Sequence, residues 1–231
     1  MAKLTNFLVL FLVLINSLYS QQNFLSTSGT SIVNQSGDTI IFRGMGIGSW
    51  MVQEGYMMAP GGFSSTQYQI KDRLVELIGA QETEIFYDNW LNNHVRKIDV
   101  DSMKQWGFNL VRAPIHYNLF TEPIENELSP FAYTEKEKGF ILLDSLLKWC
   151  KQNEIYLMID LHAAPGGQGY NADISDYDPS KPSLWESQYN QHKTVELWKR
   201  IAKRYKNEEW IAGYDLINEP NWDIPGGVLL R

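Results

Sequence analysis

Apolar and polar positions along the chain follow two periods, and the changes from one to the other mark the elements. Two β-rich runs, Ser31-Ile32-Val33-Asn34 and Thr39-Ile40-Ile41-Phe42-Arg43, flank Gln35-Ser36-Gly37-Asp38, whose turn-forming residues predict a short β-hairpin. The second run leads into Gly44-Met45-Gly46-Ile47-Gly48, a strand expected to end in a permissive loop. Residues 66–78 and 82–93 read as helices. Asp99 is placed to cap a helix over 100–106 that stops at Gly107, and residues 108–113 read as the next strand, closed by Pro114. Phe140, Leu143, Leu147 and Cys150 recur at helical spacing, and the apolar run 155–161 predicts a strand buried on both faces. Val195, Trp198, Ile201, Ala202 and Tyr205 form a further stripe, with Lys199, Arg200, Lys203 and Arg204 on the solvent side, before the strand 211–217. A strand followed three times by helix and strand implies an α/β fold with parallel strands and right-handed crossovers.

The first twenty residues follow another pattern. Lys3, then nine apolar residues over 7–15, then Asn16, Ser17 and Ser20, give the order of a secretory signal peptide, expected to span 1–20. The apolar run is too short for a bilayer span, which takes roughly 20 residues. Export to a secreted, extracellular or periplasmic location is therefore expected, with no membrane association after cleavage. Residues 21–30, rich in Ser, Thr, Gln and Asn, read as a flexible lead-in, and residues 31–231 as one domain.

Composition narrows the partners. Formal net charge is -7 and no run of Lys or Arg exceeds two residues, so the counterion-release drive for nucleic-acid binding is missing. Aromatic residues make up 13% of the chain, more than a core of this size requires, which suggests a cleft that takes a ligand with flat apolar faces. Cys150 is the single cysteine, so stability rests on a packed core and not on intrachain disulfides.

Residues capable of chemistry gather where the predicted strands end: Trp50 and Glu54 after the first, Arg112 and His116 at the second, Asp160 and His162 at the third, Asn218 and Glu219 at the fourth. In parallel α/β sheets and barrels those ends form one face, and that face carries the active site. Glu219 follows a buried strand and precedes Pro220, which predicts an extended backbone and a partly desolvated carboxyl suited to general-acid work. Arg112 has a second reading, as the partner of a structural carboxylate such as Asp160 or Asp215. A metal site from His116, His162 and Asp160 lacks the usual ligand spacing.

The longer strings are more specific. FRGMGIGSWMVQEGYM (42–57), FNLVRAPIHYNLF (108–120), IYLMIDLHAAPGGQ (155–168) and YDLINEP (214–220) together resemble glycoside hydrolase family 5, the cellulase family of clan A, and most closely its β-glucanase branch. The resemblance implies a (β/α)8 TIM barrel, of which this chain would supply about the first four β/α units after an N-terminal hairpin. It implies a retaining glycosidase acting on β-glucan or a related β-linked polysaccharide, without cofactor or metal. Glu219 would be the acid/base, Asn218 would hydrogen-bond the sugar 2-hydroxyl, Arg112 would bond the nucleophilic carboxylate, and His162 would join the wall around the reacting sugar. Trp50, Glu54, His116, Tyr117 and Trp222 would contact substrate. The family's nucleophile, a Glu at the end of the seventh strand, has no counterpart here. The predicted strands are spaced such that four more would take on the order of 200 further residues. The chain is therefore expected to be an incomplete, inactive copy of a glycosidase. The alternative is a non-catalytic carbohydrate-binding or interaction protein on a half barrel.

Overall fold

The computed structural model describes residues 24–58, 62 and 64–222. The predicted signal peptide, 1–20, lies outside the described residues. The described residues divide into two units, one up to Ile41 and one from Phe42 onward.

In the first unit, β1 (Ser26–Ser28) pairs antiparallel with β2 (Ser31–Val33). Part of the expected lead-in is thus a strand. Gly29, at a φ of 60°, lets the chain reverse within two residues, and Ser28 then pairs with Ser31 and Thr27 with Ile32 across the turn. The hairpin expected from 31–43 survives only as a short extension, with Val33 bridging Thr39 and Ile40 N–H donating to Ile32 O at 2.8 Å.

The second unit holds a four-stranded parallel sheet in the order β3 (Gly44–Gly46), β4 (Leu110–His116), β5 (Tyr156–Ala163), β6 (Ile211–Asp215). Between β3 and β4 run α1 (Gly55–Met58), α2 (Gln67–Ile78), α3 (Ala80–Asn93) and α4 (Lys97–Gln105). Next come α5 (Glu137–Gln152), between β4 and β5, and α6 (Ala172–Ser175) and α7 (Gln188–Tyr205), between β5 and β6. Among the described residues no helix is long and apolar enough to cross a membrane.

Local chemistry explains several boundaries. Thr66 caps α2, its hydroxyl accepting from Gln69 N–H at 3.3 Å while the Gln69 amide oxygen lies 3.5 Å from Thr66 N. Asp99 does not precede its helix. It sits inside the first turn of α4 and accepts from Arg96 N–H at 2.7 Å, so the helix begins earlier than expected. Gly107 ends α4 as predicted, at a φ of 85° that permits the Phe108 N–H bond back to Met103 O. Pro114 does not close β4, which runs on to His116. Arg112 turns its carbonyl toward β3, where Ile47 N–H donates to it; two residues on, Pro114 faces the same side beyond the last β3 pair, Gly46 with Arg112. No ladder donor is lost there.

The odd-numbered strand residues Val111, Ala113, Ile115, Leu157, Ile159 and Leu161 are fully buried. They form one core with Val100 and Met103 of α4, Phe140, Leu143, Leu146, Leu147 and Cys150 of α5, and Leu197, Ile201 and Tyr205 of α7. The α7 stripe differs from its prediction. The buried positions are Asn190, Lys193, Thr194, Leu197, Ile201 and Tyr205, whereas Val195 is exposed.

Candidate active site

The even-numbered strand residues carry the polar chemistry. Register places Arg112 beside Met158, and Asp160 between Pro114 and Asp215, so Arg112, Asp160 and Asp215 project from the same face of the sheet. Arg112 Nη2 lies 2.9 Å from Asp215 Oδ2, 3.0 Å from Asp160 Oδ2 and 2.7 Å from Asn218 Oδ1. Within the described residues the arginine thus takes the structural-carboxylate partners foreseen as its second reading.

His162, at the end of β5, is buried between two carboxylates. Its Nδ1 is 2.7 Å from Asp160 Oδ2 and its Nε2 is 3.3 Å from Glu54 Oε1. Burial alone would pull the imidazole pKa down, but the hydrogen bonds and charges of Asp160 and Glu54 outweigh it and push it to about 9. His162 is therefore an imidazolium at neutral pH, with both nitrogens donating. Burial raises the Asp160 carboxyl, against the pull of His162 and Arg112.

Asn218 is oriented by these neighbours. Its Oδ1 must face the Arg112 donor, which turns Nδ2 toward His162 Nε2 at 3.4 Å. That nitrogen already carries a proton, so the amide N–H groups of Asn218 are left to donate elsewhere. The Asn218 main chain is held on both sides: its N–H donates to Leu161 O at 3.1 Å and its carbonyl accepts from Gln168 Nε2 at 2.9 Å.

Glu219 follows directly, and its backbone is not extended. Its φ is 43°, in the left-handed region, and its side chain is exposed and not partly withdrawn from water as expected. The proline argument fails because the Asn218 main chain is fixed on both sides, by the bond its N–H donates to β5 and by the bond its carbonyl accepts from the loop after β5, which outweigh the local preference imposed by Pro220.

The other predicted contacts separate. Glu54 is buried in the His162 cluster and precedes α1, whose first turn bonds back to its carbonyl. Trp50 is 2% exposed, packs in the core and donates its indole N–H to Leu91 O at 2.8 Å, so it does not line the mouth. His116, also 2% exposed, is engaged away from His162: Nε2 meets Asp176 Oδ2 at 2.9 Å and Nδ1 accepts from Asn118 N–H at 3.1 Å. Among the described residues no three His, Cys, Asp or Glu side chains are grouped to hold a metal. Tyr117 lies beside the His116 ring and lines, with His116, Tyr68 and Asp176, a cleft of about 470 Å³. Trp222 stacks on Tyr170, with centroids 4.1 Å apart and planes at 14°, beyond the end of β6.

Three contributors escaped the sequence reading. Asp176 joins His116 to the start of α2 by accepting from Tyr68 N–H at 2.9 Å. Tyr170 provides the face on which Trp222 stacks. Gln168 is fully buried and ties the third strand end to the fourth. It stands in the quoted HAAPGGQ string, but a Gln after two glycines looks the same in sequence whether it points inward or to solvent.

The family model described as cellulase (glycosyl hydrolase family 5) matches residues 67–226, a stretch that contains Arg112, His162, Asn218 and Glu219. A beta-xylosidase of Phanerodontia chrysosporium is 35% identical over 198 residues, which cover 85% of this chain and 39% of that protein. A probable glucan 1,3-beta-glucosidase A of Aspergillus niger is 29% identical over 193 residues, 81% of this chain and 42% of that one. The chain thus spans about two fifths of the length of these curated relatives. Among solved structures, rutinosidase from Aspergillus niger superposes with a TM-score of 0.61 at 16% identity, covering 78% of this chain and 49% of its own, a likeness of fold. The parallel sheet β3–β4–β5–β6 with its connecting helices is thus a partial (β/α)8 barrel, its N-terminal half, and the chain belongs to glycosyl hydrolase family 5.

Proposed function

We propose that the protein to which this chain belongs is an exported, retaining β-glycosidase that cleaves β-glucan or a related β-linked polysaccharide. Glu219 is the acid/base: it protonates the glycosidic oxygen, then takes a proton from the water that releases the sugar. Asn218 donates from Nδ2 to the sugar 2-hydroxyl, a bond that strengthens as positive charge develops on the ring. Arg112 pairs with Asp160 and Asp215, and the His162 imidazolium with Asp160 and Glu54, beside the reacting sugar. The second catalytic carboxylate, needed about 5 Å from the first, comes from a later strand of the same barrel. The 231-residue chain by itself is accordingly expected to show no turnover.

The observation that carries this reading is one connected polar cluster, Glu54–His162–Asp160–Arg112–Asn218, built from β4, β5 and the segments that follow β3 and β6, and delivered next to Glu219. The test is reducing-sugar release by the full-length protein from β-1,3-glucan, β-1,4-glucan, mannan and xylan. Turnover with retained anomeric configuration, lost in Glu219→Gln by on the order of a thousandfold, is the expected result. Binding of glucan oligomers without hydrolysis would favour a carbohydrate-binding protein instead.

A further inference from the structure

We propose that Gln168 is a positioning residue for Glu219, fixing the peptide plane from which the acid/base side chain departs. This rests on the reading of Glu219 given above, but the argument is geometric. Gln168 has no exposed surface, and its amide is fully committed to main-chain atoms. Oε1 accepts from Ala164 N–H at 3.1 Å; Nε2 donates to His162 O at 2.7 Å and to Asn218 O at 2.9 Å. Both carbonyls can only accept, so the amide has a single orientation.

The Asn218 carbonyl belongs to the peptide between Asn218 and Glu219. Turning that plane about the Glu219 N–Cα bond is the φ rotation of Glu219, so the bond from Gln168 bears directly on that angle. At 43° it lies where a residue with a Cβ stays only if its surroundings hold it. The same loop grips the chain on the far side. Tyr170 N–H donates to Asn221 Oδ1 at 2.7 Å, and Gly169 lies so close that a Cβ there would stand 2.2 Å from Asn221 Oδ1 and 3.3 Å from Glu219 O. Gly166 and Gly167, at φ of 80° and 78°, turn the loop back to bring Gln168 inward. The loop after β5 therefore holds the main chain before and after Glu219, and Gln168 provides the hold on the side that sets φ.

Gln168→Met keeps the side-chain volume and removes all three bonds. In the full-length enzyme the substitution is expected to lower kcat/KM on the order of 100-fold for aryl β-glycosides whose leaving group must be protonated. For a dinitrophenyl glycoside, which leaves without an acid, kcat/KM should stay near the native value. Equal losses on both substrates would mean a merely structural role and would overturn the proposal. Glu219→Ala is run in parallel: if it lacks this leaving-group dependence, the acid/base reading fails first. A second arm does not depend on activity. Glycine tolerates a positive φ unaided, so Gln168→Met should lower the thermal midpoint roughly half as much, or less, in a Glu219→Gly background as in the native one. Equal shifts in the two backgrounds would refute the coupling. If Gln168→Met yields no soluble protein, Gln168→Leu, which likewise removes all three bonds, carries both comparisons.

Discussion

His162 shows how far a residue's chemistry departs from its type once two carboxylates enclose it. Its pKa is raised from 6.5 to about 9, so the folded state binds its proton more tightly than the unfolded chain does. The resulting stabilisation is complete below pH 6.5 and is lost as pH rises through about 9. Denaturant unfolding should therefore give a lower midpoint at pH 9.5 than at pH 6, and an NMR titration should show one imidazole titrating near 9. Asp160→Asn should return that imidazole toward its ordinary value. Trp50 gives a second test at this scale. Trp50→Phe leaves the Leu91 carbonyl without its donor inside the core and should cost about 1–3 kcal/mol of stability while leaving the Arg112–Asn218 contact in place. Both residues were visible in the sequence as polar or aromatic groups near strand ends. Which of them faces the mouth was not, because orientation depends on neighbours 41 positions away for Trp50 and 108 for His162.

At the scale of elements, apolar spacing located the helices well and their buried faces less reliably. The α5 positions Phe140, Leu143, Leu147 and Cys150 are all buried as the spacing predicts, and burial pushes the Cys150 thiol up to about 12, which leaves it unreactive. On α7 the buried face includes Lys193, which an apolar stripe cannot reveal. Its ammonium is paired with Glu127, reaches Thr121 Oγ1 at 3.1 Å and lies 5.2 Å from the centre of the Tyr133 ring. The pair anchors the excursion between β4 and α5 to α7. Lys193→Met strands the buried Glu127 carboxylate and should cost about 3–5 kcal/mol, most of it recovered in the double variant Lys193→Met/Glu127→Met. Gly139, in the first turn of α5, marks another close approach. A Cβ there would stand 2.6 Å from the Phe120 ring, so Gly139→Ala should destabilise by about 1–3 kcal/mol in thermal unfolding.

For the whole molecule, the alternation of strands and helices was enough to foresee a parallel sheet, since apolar runs with helical stripes between them pack in few ways. The strand-end position of the chemistry was legible for the same reason: successive parallel strands end on one face. Sequence alone thus determined the fold class, the family and the groups that assemble, because these depend on local periodicity and on residue types at strand ends. Only the tertiary structure decided which groups pair, that Trp50 belongs to the core and His116 to Asp176, and that Glu219 has a left-handed backbone. Each of those outcomes is a balance of desolvation, charge and hydrogen bonding among residues distant in the chain, and no local pattern encodes such a balance.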